Sequence, residues 1–260
     1  MTLGAQFYTL RNYCKDLNGL EESMKKVADI GYKSIQLSGV CPYEGEWAAE
    51  KARENGLTID ITHYDYKKIC NDTENTIKQH DAMNCKCIGI GSSPYDKNRE
   101  GLEKLCEEIA PVASKIAASG HKLMYHNHHF EFVKFDGKTF LEHLCDRFSP
   151  DEFGITFDTF WAQAAGADPA QWIKKLHGRL DRVHFKDMMV FIGADPNNRL
   201  NLRRIAPIGD GVMNYDAIIQ ACLDENVEIG YVELDDCYGA DPFECLEKSY
   251  NYLNTRYGLK

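Results

Sequence analysis

The sequence predicts a single (β/α)8 barrel. Eight short runs rich in β-branched, aromatic and other apolar residues alternate with eight helix-like stretches along the chain. Strict alternation of this kind calls for a parallel sheet, because parallel neighbours need a crossover and a helix supplies it. Eight such units in 260 residues, with no low-complexity linker and no shift in composition, favour closure into one barrel spanning residues 1–260 over an open sheet.

In chain order the strands are expected at 3–8, 34–37, 57–62, 87–90, 122–126, 154–157, 182–185 and 229–232. The stretch 20–30 places Leu20, Met24, Val27, Ala28 and Ile30 on an apolar stripe, and Gly31 stops it. The stretch 102–118 repeats the pattern with Leu102, Leu105, Ile109, Val112 and Ile116, and stops at Gly120. Asn214 and Asp241 are N-cap residues for helices over 215–226 and 242–257. The longest irregular stretch, 188–211, carries Pro196, Pro207 and three glycines. A loop of that length on a barrel predicts a lid or a wall of the site.

Composition narrows the function classes. Hydrophobic content of 43% and charged content of 27% are those of an ordinary globular domain. A formal net charge of −10, with no Lys/Arg cluster longer than two, argues against a nucleic-acid partner. The first eight residues have neither a basic segment nor a long apolar one, so no signal peptide and no membrane span are read. Ten scattered cysteines without a CxxC pair are expected to be reduced, buried and cytoplasmic.

The chemistry sits at the ends of the later strands. The runs 155–161, 182–187 and 231–235 each close on metal-capable side chains, and Asp158, His184 and Glu233 are the three that successive strand ends would deliver to a barrel mouth. Side chains alternate along a strand, so His184 shares a face with Lys186, Thr156 with Asp158, and Glu233 with Tyr231 and Asp235. On strand 5, His126 and His128 share a face and Glu131 follows. Histidines so placed can be ligand, base or scaffold. Phe7, Tyr8 and Trp161 stand near strand ends, where an aromatic face can line a ligand pocket.

Several segments together resemble the xylose isomerase-like (AP endonuclease family 2) barrels, which include sugar phosphate isomerases and epimerases. They are Gly4-Ala5-Gln6-Phe7-Tyr8-Thr9-Leu10-Arg11, Tyr125-His126-Asn127-His128-His129-Phe130-Glu131-Phe132, Phe157-Asp158-Thr159-Phe160-Trp161, Val183-His184-Phe185-Lys186-Asp187, Pro207-Ile208-Gly209-Asp210-Gly211 and Val232-Glu233. The resemblance covers essentially the whole chain. It implies one divalent ion held by Glu, Asp, His and Glu from strands 5 to 8. Asp158, His184 and Glu233 carry over directly. Strand 5 leaves two options, Glu131 or His126, and Glu131 is taken as the fourth ligand.

The expected activity is then that of a divalent-metal-dependent sugar isomerase or epimerase, with proton abstraction α to a carbonyl through an enediolate. Glu233, His128 and Lys186 are the expected catalytic residues, and Gln6, Tyr8, His126 and Trp161 the expected substrate contacts. Oxygen ligands with imidazole suit Mn²⁺ first, then Mg²⁺, Co²⁺ or Zn²⁺. The alternative is a lyase or dehydratase acting on a keto-sugar, keto-glycoside or keto-inositol through the same site. A sugar-binding barrel without catalysis ranks lower, and a three-zinc endonuclease lower still, because the acidic chain lacks a basic face. The partner is a small sugar or sugar derivative, with homo-oligomerisation left open.

Overall fold

The computed structural model describes residues 1–191 and 203–260. Eight parallel strands run in sequence order: β1 (Thr2–Gln6), β2 (Ser34–Leu37), β3 (Thr58–Tyr64), β4 (Cys87–Ile90), β5 (Lys122–His126), β6 (Phe153–Asp158), β7 (Arg182–Phe185) and β8 (Ile229–Val232). Each pairs with its neighbour and β8 pairs back onto β1, so the sheet closes as expected. The crossovers are helical, and two of them contain two helices each: Tyr66–Asn71 with Thr73–Ala82, and Thr159–Ala164 with Pro169–Lys175.

Local chemistry sets the element ends. The expected first strand overran. It stops at Gln6, and Phe7–Leu10 is a 3-10 turn, because the Gln6 side-chain oxygen accepts the Tyr8 N–H. Helix Leu17–Ile30 starts at Asp16, whose carboxylate accepts the Gly19 N–H, and Gly31 ends it at φ +126. Helix Arg99–Ala118 is capped by Asn98, a turn ahead of its apolar stripe. Asn214 caps Tyr215–Asp224 and Asp241 caps Pro242–Tyr257. The strand β3 runs on to Tyr64 and β6 to Asp158, each beyond the end expected from apolar content.

The barrel interior is layered. Ile61, Cys87, Met124, Ile229 and Tyr231 form an apolar floor, each fully buried Leu-sized side chain stabilising by ~1.5–3 kcal/mol. Gly4 makes room for it, since a Cβ there would stand 2.4 Å from the Tyr231 ring. The larger core lies between strands and helices. Above the floor the inward positions turn polar, with Gln6, Gln36, His126, Asp158, His184 and Glu233 all buried.

The stretch after β7 differs from the irregular loop expected over 188–211. Residues 192–202, with Pro196, lie outside the described residues. On either side of them Asp187–Val190 pairs antiparallel with Arg203–Ala206. The buried Asp187 carboxylate then accepts backbone N–H groups from Met188 (2.8 Å), Gly209 (3.0 Å), Gly211 (3.2 Å) and Met213 (3.2 Å). A Cβ at Gly211 would stand 2.2 Å from that carboxylate, so the turn needs glycine. Asp187 therefore folds the wall after β7, facing away from His184 and Lys186. Among the described residues no helix is long and apolar enough to cross a membrane.

Candidate metal centre and active site

Parallel pairing brings four donors to the carboxyl ends of four adjacent strands. Register sets His126 opposite Thr156, Asp158 opposite His184, and His184 opposite Tyr231, two residues before Glu233. One ligand atom each from His126, Asp158, His184 and Glu233 lies within 4.8 Å of the others, and all four side chains are buried. Neighbouring contacts lock the strand ends. Asn127 Oδ1 accepts the Asp158 N–H at 3.0 Å, Thr159 Oγ1 donates to the His184 carbonyl at 3.0 Å, and Thr9 Oγ1 accepts the Leu234 N–H at 2.9 Å.

Second partners fix which nitrogen of each imidazole carries the lone pair. His184 Nε2 donates to Gln36 Oε1 at 2.6 Å, which leaves Nδ1 as the acceptor nitrogen, 2.8 Å from Glu233 Oε2 and 3.8 Å from Asp158 Oδ2. His126 Nδ1 donates to the Gly91 carbonyl at 3.2 Å, which leaves Nε2 facing Asp158 Oδ2 at 3.2 Å. His184 Nδ1 has no hydrogen-bond donor, and Glu233 Oε2 has beside it only the Lys186 ammonium at 3.0 Å. Lone pairs facing lone pairs at these distances call for positive charge, which the Lys186 ammonium supplies here and a divalent ion would supply when bound. Imidazole ligands with the other N–H held by a carbonyl are the arrangement metal sites use. The residues present therefore fit a divalent ion, and this buried His/Asp/Glu cluster could hold one.

Each carboxylate is held in place twice. Asp158 Oδ1 caps helix Thr159–Ala164 by accepting the Trp161 N–H at 2.8 Å, while Oδ2 faces the cluster. Glu233 Oε1 accepts from Gln6 Nε2 at 2.9 Å, while Oε2 faces His184. Lys186 supplies positive charge, with its ammonium 3.0 Å from Asp158 Oδ2, 3.0 Å from Glu233 Oε2 and 2.6 Å from Asp235 Oδ2. Burial alone would discharge Lys186, but the three carboxylates outweigh it and hold its pKa above the ordinary lysine value. Burial likewise pushes Asp158 and Glu233 up, and the cations around them win, so both sit below the usual carboxylate range. Burial dominates at Asp235 and raises it.

A cavity of about 330 Å³ opens beside the cluster, lined by Gln6, Tyr8, His63, His126, His128, Glu233 and Asp235 among others. That volume suits a sugar-sized ligand. Burial, with His126 beside it, lowers His128 to about 3, so its ring is neutral.

Two expectations are corrected. Glu131 is not among the four donors. Its Oε1 accepts from Tyr125 Oη at 2.9 Å and its Oε2 from the His128 N–H at 2.8 Å, which turns it away from the cluster, so the strand-5 donor is His126. Trp161 does not line the cavity. It stands behind it, with its ring 5.6 Å from His128 and 5.7 Å from the Lys186 ammonium. Arg11 donates to the Tyr8 and Asp235 carbonyls and Arg203 to the Ala164 carbonyl, while Arg204 stacks on Phe191.

Two further residues belong to the site. Gln36 orients His184, and its signal was an amide between Ile35 and Leu37 inside a fully buried strand. His63 is half-buried on the cavity wall, with Nδ1 3.2 Å from Ser38 Oγ, Nε2 without a partner, and its ring 5.0 Å from His126. Its signal was a histidine directly after the strand expected over 57–62. All ten cysteines are unpaired thiols.

Comparison with known proteins places the fold. The chain is 26% identical to an inosose dehydratase of Bacillus anthracis over 93% of its length and 91% of the relative's. Among solved structures it is similar to a sugar phosphate isomerase/epimerase from Parabacteroides distasonis (TM-score 0.80, 21% identity, 100% of this chain and 95% of the other). It is also similar to an L-ribulose 3-epimerase (TM-score 0.72, 14% identity, 98% and 94%). A family model described as the xylose isomerase-like TIM barrel matches residues 20–236, and with the closed eight-stranded barrel the chain belongs to that family.

Proposed function

We propose that this protein is a divalent-metal-dependent sugar isomerase or epimerase that works by removing the proton α to a carbonyl. The observation that carries this is the buried His126–Asp158–His184–Glu233 set, with both imidazole lone pairs aimed at the carboxylates, opening on a sugar-sized cavity. When bound, the ion (Mn²⁺ first, with Mg²⁺, Co²⁺ or Zn²⁺ as the other candidates) would supply a Lewis acid beside the substrate carbonyl.

The chain's own groups do the rest. Glu233 takes the proton, because Gln6 fixes one of its oxygens on the cavity wall. Lys186 balances the carboxylate charge. His128, neutral and on the cavity wall, exchanges hydrogen bonds with substrate hydroxyls. Tyr8 offers a partly exposed ring at the rim, and Trp161 backs His128. The ten free thiols fit a cytoplasmic setting.

Turnover of a ketose in D₂O should place deuterium at the carbon next to the carbonyl. Glu233→Gln should keep the fold and lose roughly 10²–10⁴-fold in kcat, the scale for loss of a general base. Turnover without solvent label, or a fully active Glu233→Gln variant, would overturn the assignment.

A second reading is favoured by the 26% match to inosose dehydratase. There the same proton removal would be followed by expulsion of the β-hydroxyl as water. Mass analysis of the product separates the two, since an isomer keeps the substrate's mass and a dehydration product has lost one water.

A further inference from the structure

Lys186 already occupies the electrostatic place that a divalent ion would take. Its ammonium contacts Asp158 Oδ2 and Glu233 Oε2, each at 3.0 Å. These are the same two oxygens that face His126 Nε2 and His184 Nδ1. A divalent ion needs such oxygens at about 2.0–2.2 Å, so ion and ammonium compete for one pair of lone-pair directions. Removing the ammonium altogether would leave the wrong charge. Asp158, Glu233 and Asp235 carry three negative charges, which one ammonium and one divalent ion together neutralise. Charge balance in the loaded site therefore favours an ammonium that stays nearby without holding both ligand oxygens, although the ion can bind without it.

Asp235 meets that requirement. Its Oδ2 makes the shortest of the three contacts to Lys186, 2.6 Å, and that carboxylate is not one of the four converging donors. It lies on the cavity side, with its side chain 27% exposed while those of Asp158 and Glu233 are 0% and 4% exposed. Its backbone is anchored, because Arg11 Nη2 donates to the Asp235 carbonyl at 2.8 Å and Thr9 holds the Leu234 N–H.

We propose that Asp235 is a positioning residue for metal loading: it draws the Lys186 ammonium off Asp158 and Glu233 and retains it as the neutralising charge once the ion is in place. The inference rests on the metal-centre reading above. It makes Asp235 a determinant of metal affinity although it is not a ligand.

The test is calorimetric titration of Mn²⁺ into EDTA-stripped, dialysed protein at fixed pH and salt. Asp235→Asn should weaken Mn²⁺ binding by roughly 10–100-fold, the range for loss of an outer-sphere partner. Lys186→Met, with no competing ammonium, should bind Mn²⁺ at least as tightly as the unaltered protein. Lys186→Gln takes its place where circular dichroism shows that Lys186→Met has not folded. In either Lys186 background, adding Asp235→Asn should change the affinity by no more than about twofold, because the coupled partner is gone. An Asp235→Asn variant that binds like the unaltered protein overturns the proposal. So does an equal loss in the Lys186 backgrounds, which would mean that Asp235 acts by its field alone. Failure of the unaltered protein to bind Mn²⁺ would instead remove the metal centre itself.

Discussion

Gln36 offers the sharpest perturbation of the site, because it acts on the cluster through one bond. Its Oε1 accepts from His184 Nε2 at 2.6 Å and thereby leaves Nδ1 unprotonated toward Glu233. Gln36→Leu removes that acceptor while keeping a similar volume. Left alone, the buried Nε2–H would cost ~1–3 kcal/mol. The imidazole has an escape. Its proton can move to Nδ1, where Glu233 Oε2 lies 2.8 Å away and accepts it. The metal-free protein then loses little stability, but Nδ1 no longer offers a lone pair to an ion. The expected result is an unfolding temperature changed by only a few degrees together with Mn²⁺ affinity lowered roughly 10–100-fold, which corresponds to ~1.4–2.8 kcal/mol of binding energy. Calorimetric titration of the stripped protein, paired with thermal unfolding with and without Mn²⁺, reads both quantities. Gln36→Glu restores an acceptor at the same position and should keep at least the original affinity. Unchanged Mn²⁺ binding in Gln36→Leu would refute the tautomer argument, and so would a Gln36→Glu variant as weak as Gln36→Leu.

Three other outcomes follow from the geometry. Glu131→Ala should retain about one metal ion per chain by elemental analysis while losing ~1–3 kcal/mol in urea unfolding, because the Tyr125 hydroxyl and the His128 N–H lose their acceptor; loss of the metal would return Glu131 to the ligand set. His80 is buried between Thr62 Oγ1 (2.8 Å) and the Thr76 carbonyl (2.7 Å), and burial lowers it from 6.5 to about 4, so the unfolded chain takes up its proton first on acidification. Its contribution, on the order of 3 kcal/mol, should be present above pH 6.5 and be lost as pH falls toward 4, and His80→Gln should flatten that part of a stability–pH curve. Gly4→Ala should destabilise by ~1–3 kcal/mol through overpacking against Tyr231, whose ring atom would lie 2.4 Å from the new methyl; an unchanged urea midpoint would show that the floor of the barrel can yield.

The site was legible wherever one strand's own period decided the outcome. Asp158, His184 and Glu233 end apolar runs, and alternation sends each inward, so residue type and position sufficed. The same rule put Lys186 on the face of His184, and the structure places both in the cluster. Strand 5 was harder because the answer depended on where the chain leaves the strand. It turns at His126, and the next bend is closed by Glu131 bonding back to the His128 N–H. A capping box pairs a Ser or Thr N-cap with a Glu three positions later; here His128 holds the N-cap place, and Glu131 is used up locally all the same. Gln36 and His63 were hidden for another reason. Both lie on strands on the far side of the barrel from β6, where no sequence neighbour announces a site, and His63 directly follows the strand expected over 57–62.

Reaction class falls outside what strand periodicity can carry. Proton removal needs only the donor cluster and a carboxylate, and those come from β5 to β8. Whether the resulting carbanion is reprotonated or expels a hydroxyl depends on groups around the rest of the cavity, and these come from other segments. Tyr8 lies on the 3-10 turn after β1, Ser38 just past β2, Tyr66 on the helix after β3 and Ser92 past β4. Each is placed by a separate connection of different length, so no spacing in the sequence relates one to another. In the proposed mechanism the strands carry the first chemical step and the loops decide the second, in keeping with relatives of one architecture that bear both isomerase and dehydratase names.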